Sequence, residues 1–88
     1  MNELFGFLKK KKPTNQVKFL REKKGMTQKE LARSVEEISK AKMGKMVPLS
    51  WQTVRSVEEY RYIPSLGLAQ LLAEALGEDL ETVFFKLN

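Results

Sequence analysis

Within six residues, Gly25 to Glu30, the chain stops one helix and starts another, and this junction limits the fold more than any other feature. Gly25 ends a segment, beginning near Gln16, in which Val17, Leu20 and Lys24 share a face with Phe19 beside them. Glycine suits that place because it takes up the left-handed backbone of a helix end without strain. Thr27-Gln28-Lys29-Glu30 then reads as a capping box. The Thr27 hydroxyl can accept the Glu30 amide, while the Glu30 carboxylate reaches back to the Thr27 amide. From Gln28, the residues Leu31, Ala32, Val35 and Ile38 recur at helical spacing. This pattern could break soon after Val35 or run through Ala41 to Gly44. Leu31, Val35 and Ile38 keep one face, so the expectation is a helix that passes Val35.

Further start signals follow at regular intervals. Ser50 is a good N-cap, and Val54 and Val57 give the third helix an inward stripe. Pro64-Ser65 opens a fourth helix through Leu66, Leu68, Leu72 and Leu76, which Gly77 ends, and Asp79 caps a short fifth carrying Leu80, Val83 and Phe84. No alternating β run and no internal repeat interrupts the series. The expected class is all-α, a five-helix bundle.

The 88 residues leave room for one domain. Neither Cys nor His occurs, which removes disulfides, zinc fingers, thiol nucleophiles and Ser-His machinery. Glutamates occur without a nucleophile–base pair or a metal-ligand set, so no enzyme and no cofactor is expected. A reducing cytoplasm is the simplest fit. No stretch approaches the roughly 18–20 apolar residues of a membrane-spanning helix.

The net charge is +5, and its distribution is uneven. Residues 1–24 carry eight Lys/Arg against two Glu, whereas residues 65–88 carry one Lys against four acids. Such a gradient can orient a chain on a polyanion, and a solvated surface can also produce it. Residues 1–15 read as an appendage to a domain over residues 16–88. In the appendage Met1 to Leu8 is apolar but precedes Lys9 to Lys12, the reverse of a secretory signal's order. The lysine run has three readings: a mobile tail, a phosphate-seeking arm, or a weak membrane-surface anchor with Phe5 and Phe7.

From Val17 onward the chain resembles the Cro/repressor (XRE-like) family of helix-turn-helix DNA-binding domains. Three blocks in order carry the resemblance: Val17 through Ala32 with the capping box, Ser50-Trp51-Gln52-Thr53-Val54-Arg55-Ser56-Val57-Glu58, and Pro64-Ser65-Leu66 on through Gly77 to Phe84. It implies a lambda-repressor-like bundle in which helix 2 crosses the DNA backbone and helix 3 enters the major groove. By the same resemblance Gln28 and Thr53 fall at phosphate-contact positions, Thr53 at one that also serves base contact. Trp51, Gln52, Arg55 and Ser56 form the groove-facing set. Chemistry alone allows the roles: Gln52 can pair with adenine and Arg55 with guanine O6 and N7. The alternative is a solvated face with Arg55 paired to Glu59 at i,i+4. For Trp51 it is packing, against contact with a thymine methyl or a sugar.

Two departures from the family stand out. Twenty residues separate Ala32 from Thr53, where the family usually has about half as many. An insertion between helices 2 and 3, residues 36–47, is therefore expected. It holds Lys40, Lys42 and Lys45 beside Met43, Met46 and Val47. It reads as a longer helix with a loop, as a basic lobe for phosphates, or as a lobe for a protein partner. The second departure is Tyr60, where many members have glycine after helix 3. There the helix either continues or turns differently, and this bears on Arg61 and Tyr62 as phosphate contacts.

The implied function is a sequence-specific transcriptional regulator of the small phage-repressor, mobile-element or antitoxin type. It would be cytoplasmic and nucleoid-associated, binding double-stranded DNA as a homodimer. The competing reading is a protein-interaction module or adaptor that keeps the bundle without specific DNA binding.

Overall fold

The computed structural model describes residues 15–85, which form five helices and no strand. They are α1 (Val17–Lys23), α2 (Gln28–Met43), α3 (Trp51–Glu58), α4 (Leu66–Leu76) and α5 (Leu80–Phe84). The lysine run Lys9–Lys12 lies outside the described residues.

The sequence signals become geometry at each boundary. Glu30 N–H donates to Thr27 Oγ1 at 3.0 Å and Thr27 N–H to Glu30 Oε1 at 2.9 Å, so the capping box is complete. Ser50, Ser65 and Asp79 likewise accept amides in the first turns of α3, α4 and α5. Each cap satisfies a backbone donor that the helix itself leaves unpaired. Asn15, on sequence a member of the appendage, is instead buried against the bundle. Its Nδ2 donates to the Val57 carbonyl at 2.9 Å, and its Oδ1 accepts the Val17 amide at 3.0 Å. The neighbouring Gln16 amide donates to the Val83 carbonyl, which joins the start of the fold to α5.

The end of α2 takes the longer of the two expected courses. The helix passes Val35 and runs to Met43, where Gly44 ends it with φ of 79°. Residues 36–47 are therefore the second half of α2 and the beginning of its connection to α3. That connection folds back on the helix. Ser39, fully buried, donates through Oγ to the Glu36 carbonyl and accepts the Val47 amide at 2.8 Å. Glu36 Oε2 accepts the Leu49 amide at 2.8 Å. Two side chains of α2 thus dictate where α3 starts.

The core lies between α2, α3 and α4, with α2 packed most extensively on α4 and then on α3. Leu31, Val35, Val54, Val57, Leu72 and Leu76 fill it, and Val17 and Val83 close it from α1 and α5. The inward stripe expected of α3 is Val54 and Val57, as found. Two apolar residues fall elsewhere than their pattern suggests. Phe19 is 61% exposed because the face of α1 that holds Val17, Leu20 and Arg21 points the opposite way. Leu66 is 63% exposed, since it opens α4 beside a groove that no described element covers.

Candidate nucleic-acid interface

An eight-residue helix can offer only one face, and burial fixes which one. Val54, Val57 and Glu58 point into the protein, so Gln52 and Arg55 stand in solvent with Trp51, Thr53 and Ser56 half-buried at the edges. The helix is anchored at its far end by a buried charge cluster. Glu58 accepts Arg21 Nε at 2.6 Å and Arg21 Nη2 at 3.1 Å, and also Gln28 Nε2 at 2.9 Å. Arg21 donates in addition to the Met26 carbonyl. The hydrogen bond to Glu58 raises the pKa of Arg21 above its ordinary value, against the opposing effect of burial. One carboxylate therefore links α1, the first turn of α2 and the last turn of α3.

This cluster escaped the sequence reading. Arg21 and Glu58 lie 37 positions apart, and a charged residue on a helix is normally solvated. Only the periodicity of their neighbours hints at them: each adjoins a core residue, Leu20 and Val57 respectively.

The residues expected to face DNA divide into groups. Gln52, Thr53 and Ser56 come together, with Tyr62, around a recess of about 310 Å³. Trp51 stands apart from them, lining a cleft of about 350 Å³ between α2 and α3 with Lys29, Arg33, Glu36 and Leu49. Arg55 donates through Nε to Glu59 Oε2 at 3.0 Å, the i,i+4 pairing anticipated as the alternative to base contact. Arg61 reaches the other oxygen of the same carboxylate at 3.2 Å. Glu59 is held below the usual carboxylate range, first by the Arg55 hydrogen bond and then by the charges of Arg55, Arg61 and Lys18.

The positions expected to meet phosphate are spread more widely. Gln28, half-buried, commits its amide nitrogen to Glu58. Lys40, Lys42 and Lys45 are exposed on the far half of α2 and just beyond it, and Lys42 pairs with Glu74 of α4 at 3.1 Å.

The exit from α3 is tight. Tyr60 adopts φ of 63°, the left-handed region that favours glycine. Its amide donates to the Val57 carbonyl, while the Arg61 amide donates to the Ser56 carbonyl at 2.9 Å, the pattern of a Schellman turn. The helix therefore ends at Glu58 and does not continue through Tyr60. Beyond the turn Tyr60, Tyr62, Ile63 and Leu66 line an apolar groove of about 320 Å³ completed by Leu80, Phe84 and Phe85.

Chemically this surface offers amide, hydroxyl and guanidinium groups on a protruding helix, which are the groups that read base edges and hold phosphates. No helix among the described residues is long and apolar enough to cross a membrane. No individual curated protein matches the chain. The profile of the helix-turn-helix family of Cro/C1 type, XRE-like, matches residues 17–83, which span all five helices nearly to the end of the last. The chain belongs to that family, a family of DNA-binding regulators of transcription and not of enzymes.

Proposed function

We propose that the chain is a sequence-specific transcriptional regulator of the small phage-repressor, mobile-element or antitoxin type, in which α3 reads the major groove. The observation that carries this reading is the division of α3 into a buried apolar face and an exposed face bearing Gln52 and Arg55. A major groove about 12 Å wide admits one such helix. Gln52, Arg55, Ser56 and Trp51 are the base-contacting set. Gln28, Thr53, Arg61, Lys40, Lys42 and Lys45 are the phosphate-contacting set, with residues 1–15 as a basic arm. On binding, Arg55 and Arg61 exchange Glu59 for the nucleic acid. The protein works in the cytoplasm at the nucleoid.

The same reading includes a homodimer, since two half-sites need two recognition helices. The apolar groove beyond α3 supports a second copy as its occupant. Tyr60, Tyr62, Ile63, Leu66 and Phe85 are between 43% and 88% exposed, and among the described residues no charged side chain lines the groove. At roughly 200 Å² for a large side chain, these five supply on the order of 600 Å² per protomer, approaching the about 800 Å² of a standard interface. Ile63→Asp is expected to convert the dimer to a monomer in sedimentation while the helical content is kept. A wild-type chain that sediments as a monomer at every concentration would remove the dimer.

Selection of bound sites from random duplex DNA tests the whole reading. A palindrome is expected, with steep weakening by salt as counterions are released. Gln52→Ala and Arg55→Ala should flatten base preference while retaining non-specific affinity. The second reading, an interaction module that does not read sequence, is favoured by that same groove. It would be supported by a folded chain that enriches no sequence.

A further inference from the structure

Tyr62 lies outside α3, yet the turn brings it back beside Gln52, Thr53 and Ser56 of that helix. The left-handed backbone at Tyr60 reverses the chain, and the Arg61 and Tyr62 amides both donate to the Ser56 carbonyl, at 2.9 and 3.3 Å. Tyr62 is left 45% exposed, and with Gln52, Thr53 and Ser56 it lines the open recess of about 310 Å³. The Thr53 hydroxyl is engaged by Ser50 Oγ at 3.1 Å, and Thr53 lines the recess. The lining is mostly apolar, and Gln52 beside it is exposed.

That combination selects among bases. The thymine C5-methyl is the one apolar group that a base pair presents in the major groove. A glutamine amide fits the N6 and N7 edge of adenine. We propose that the Tyr62 ring, the Thr53 methyl and Gln52 together form a pocket for an A·T pair, with the thymine methyl seated against Tyr62. This inference rests on the reading of α3 given above and extends it to a residue beyond the helix. It also shifts the thymine contact from Trp51, which lines a different cleft.

The test uses duplexes selected by the full wild-type chain and resynthesised with deoxyuridine for thymine at one position at a time, which deletes only a methyl group. At one position in each half-site the wild-type chain should lose about fourfold in affinity, the worth of one buried methyl. Tyr62→Phe should keep that loss, and Tyr62→Ala should abolish it. Because Tyr62 also borders the apolar groove, Tyr62→Ala can weaken all binding. Such uniform weakening cancels when thymine and deoxyuridine duplexes are compared for each variant. Should the alanine variant fail to fold, Tyr62→Gln, which keeps bulk without a ring, is expected to abolish the discrimination. Equal methyl sensitivity in the wild type and in the ring-deleted variant overturns the inference. So does a wild-type chain that selects a sequence but ignores every thymine methyl, which leaves the reading of α3 standing. A chain that selects no sequence overturns both.

Discussion

Where the chain enters α3, side chains of α2 hold it: Ser39 takes the Val47 amide, Glu36 takes the Leu49 amide, and Gly44 makes the turn. Where it leaves α3, the turn from Glu59 to Arg61 is closed by backbone bonds, a tyrosine stands in the left-handed region, and apolar side chains face outward. Between the two corners, the last residue of α3 is pinned from within by Arg21 and Gln28. The start of the helix is thus fixed by backbone amides that donate to Ser39 and Glu36, and its end by a buried ion-pair cluster beneath an open corner. An open, apolar corner next to the face proposed to read DNA can serve association.

The largest effect separating the corners is expected at Glu58. Glu58→Ala takes away the buried partner of Arg21 and leaves it only the Met26 carbonyl and the exposed Glu22 at 3.8 Å, which should cost up to about 3–5 kcal/mol and show as a fall in the urea midpoint. Replacing both members of the pair by methionine should recover most of that loss, because the penalty comes from the orphaned charge. At the entrance, Ser39→Ala strands the Val47 amide and should cost about 1–2 kcal/mol. A larger loss from Ser39→Ala than from Glu58→Ala would invert the contrast between anchoring by single hydrogen bonds and anchoring by an ion pair.

The two corners also differ in how far the sequence reveals them. Signals that act within one turn were legible: the Thr27–Glu30 box, the caps Ser50, Ser65 and Asp79, and the stops at Gly25 and Gly77 all appear as expected. So did the inward pair Val54 and Val57, because a 3.6-residue period leaves them no other face. The course of the entrance was only half legible. Ile38 carried the pattern past Val35, but the bonds from Ser39 and Glu36 join residues 8 and 13 positions apart, which no local pattern encodes. The exit was marked by Tyr60 in a place where the family favours glycine, and the structure shows that it keeps glycine's backbone conformation. Where Tyr62 would return was not legible, since that depends on the turn and not on the helix. Of the residues singled out on α3, Gln52, Thr53 and Ser56 share a recess, while Trp51 and Arg55 have other neighbours.

A smaller effect, with opposite sign at the two corners, follows from the left-handed backbone that both require. Gly44 has open space where a Cβ would stand, so Gly44→Ala meets only the conformational penalty at φ of 79° and should lose roughly 1 kcal/mol. Tyr60 already bears such a penalty at φ of 63°. Tyr60→Gly should therefore gain up to about 1 kcal/mol, partly offset by the greater freedom of glycine in the unfolded chain. Thermal melting of the two variants gives the comparison directly. If Tyr60→Gly destabilises, the tyrosine ring contributes packing at the exit that outweighs the strain of its backbone.

The smallest expected effect concerns Glu59, which binds Arg55 and Arg61 at once in the free protein. If both arginines serve the nucleic acid, this carboxylate competes with it and also repels phosphate. Glu59→Gln should therefore raise affinity for duplex DNA by a few-fold, on the scale of an exposed ion pair, and more at low salt than at high. Acid should have the same effect on the wild type. The pKa of Glu59 is depressed below its ordinary 4.5, chiefly by the Arg55 hydrogen bond, so the carboxylate stays ionised until the pH falls through that lowered value. The fold responds in the opposite direction. A carboxyl whose pKa is lower in the folded chain stabilises it above the unfolded value, and that contribution disappears as the pH falls through the folded one. Between neutral pH and the onset of acid unfolding, affinity of the wild type should rise toward that of Glu59→Gln, while the variant stays flat over the Glu59 titration. Wild type and variant that bind equally at every pH and salt concentration would mean that Arg55 and Arg61 remain with Glu59 in the complex. The exit corner would then contribute no charge to DNA binding, and recognition would fall to Gln52, Ser56 and Tyr62.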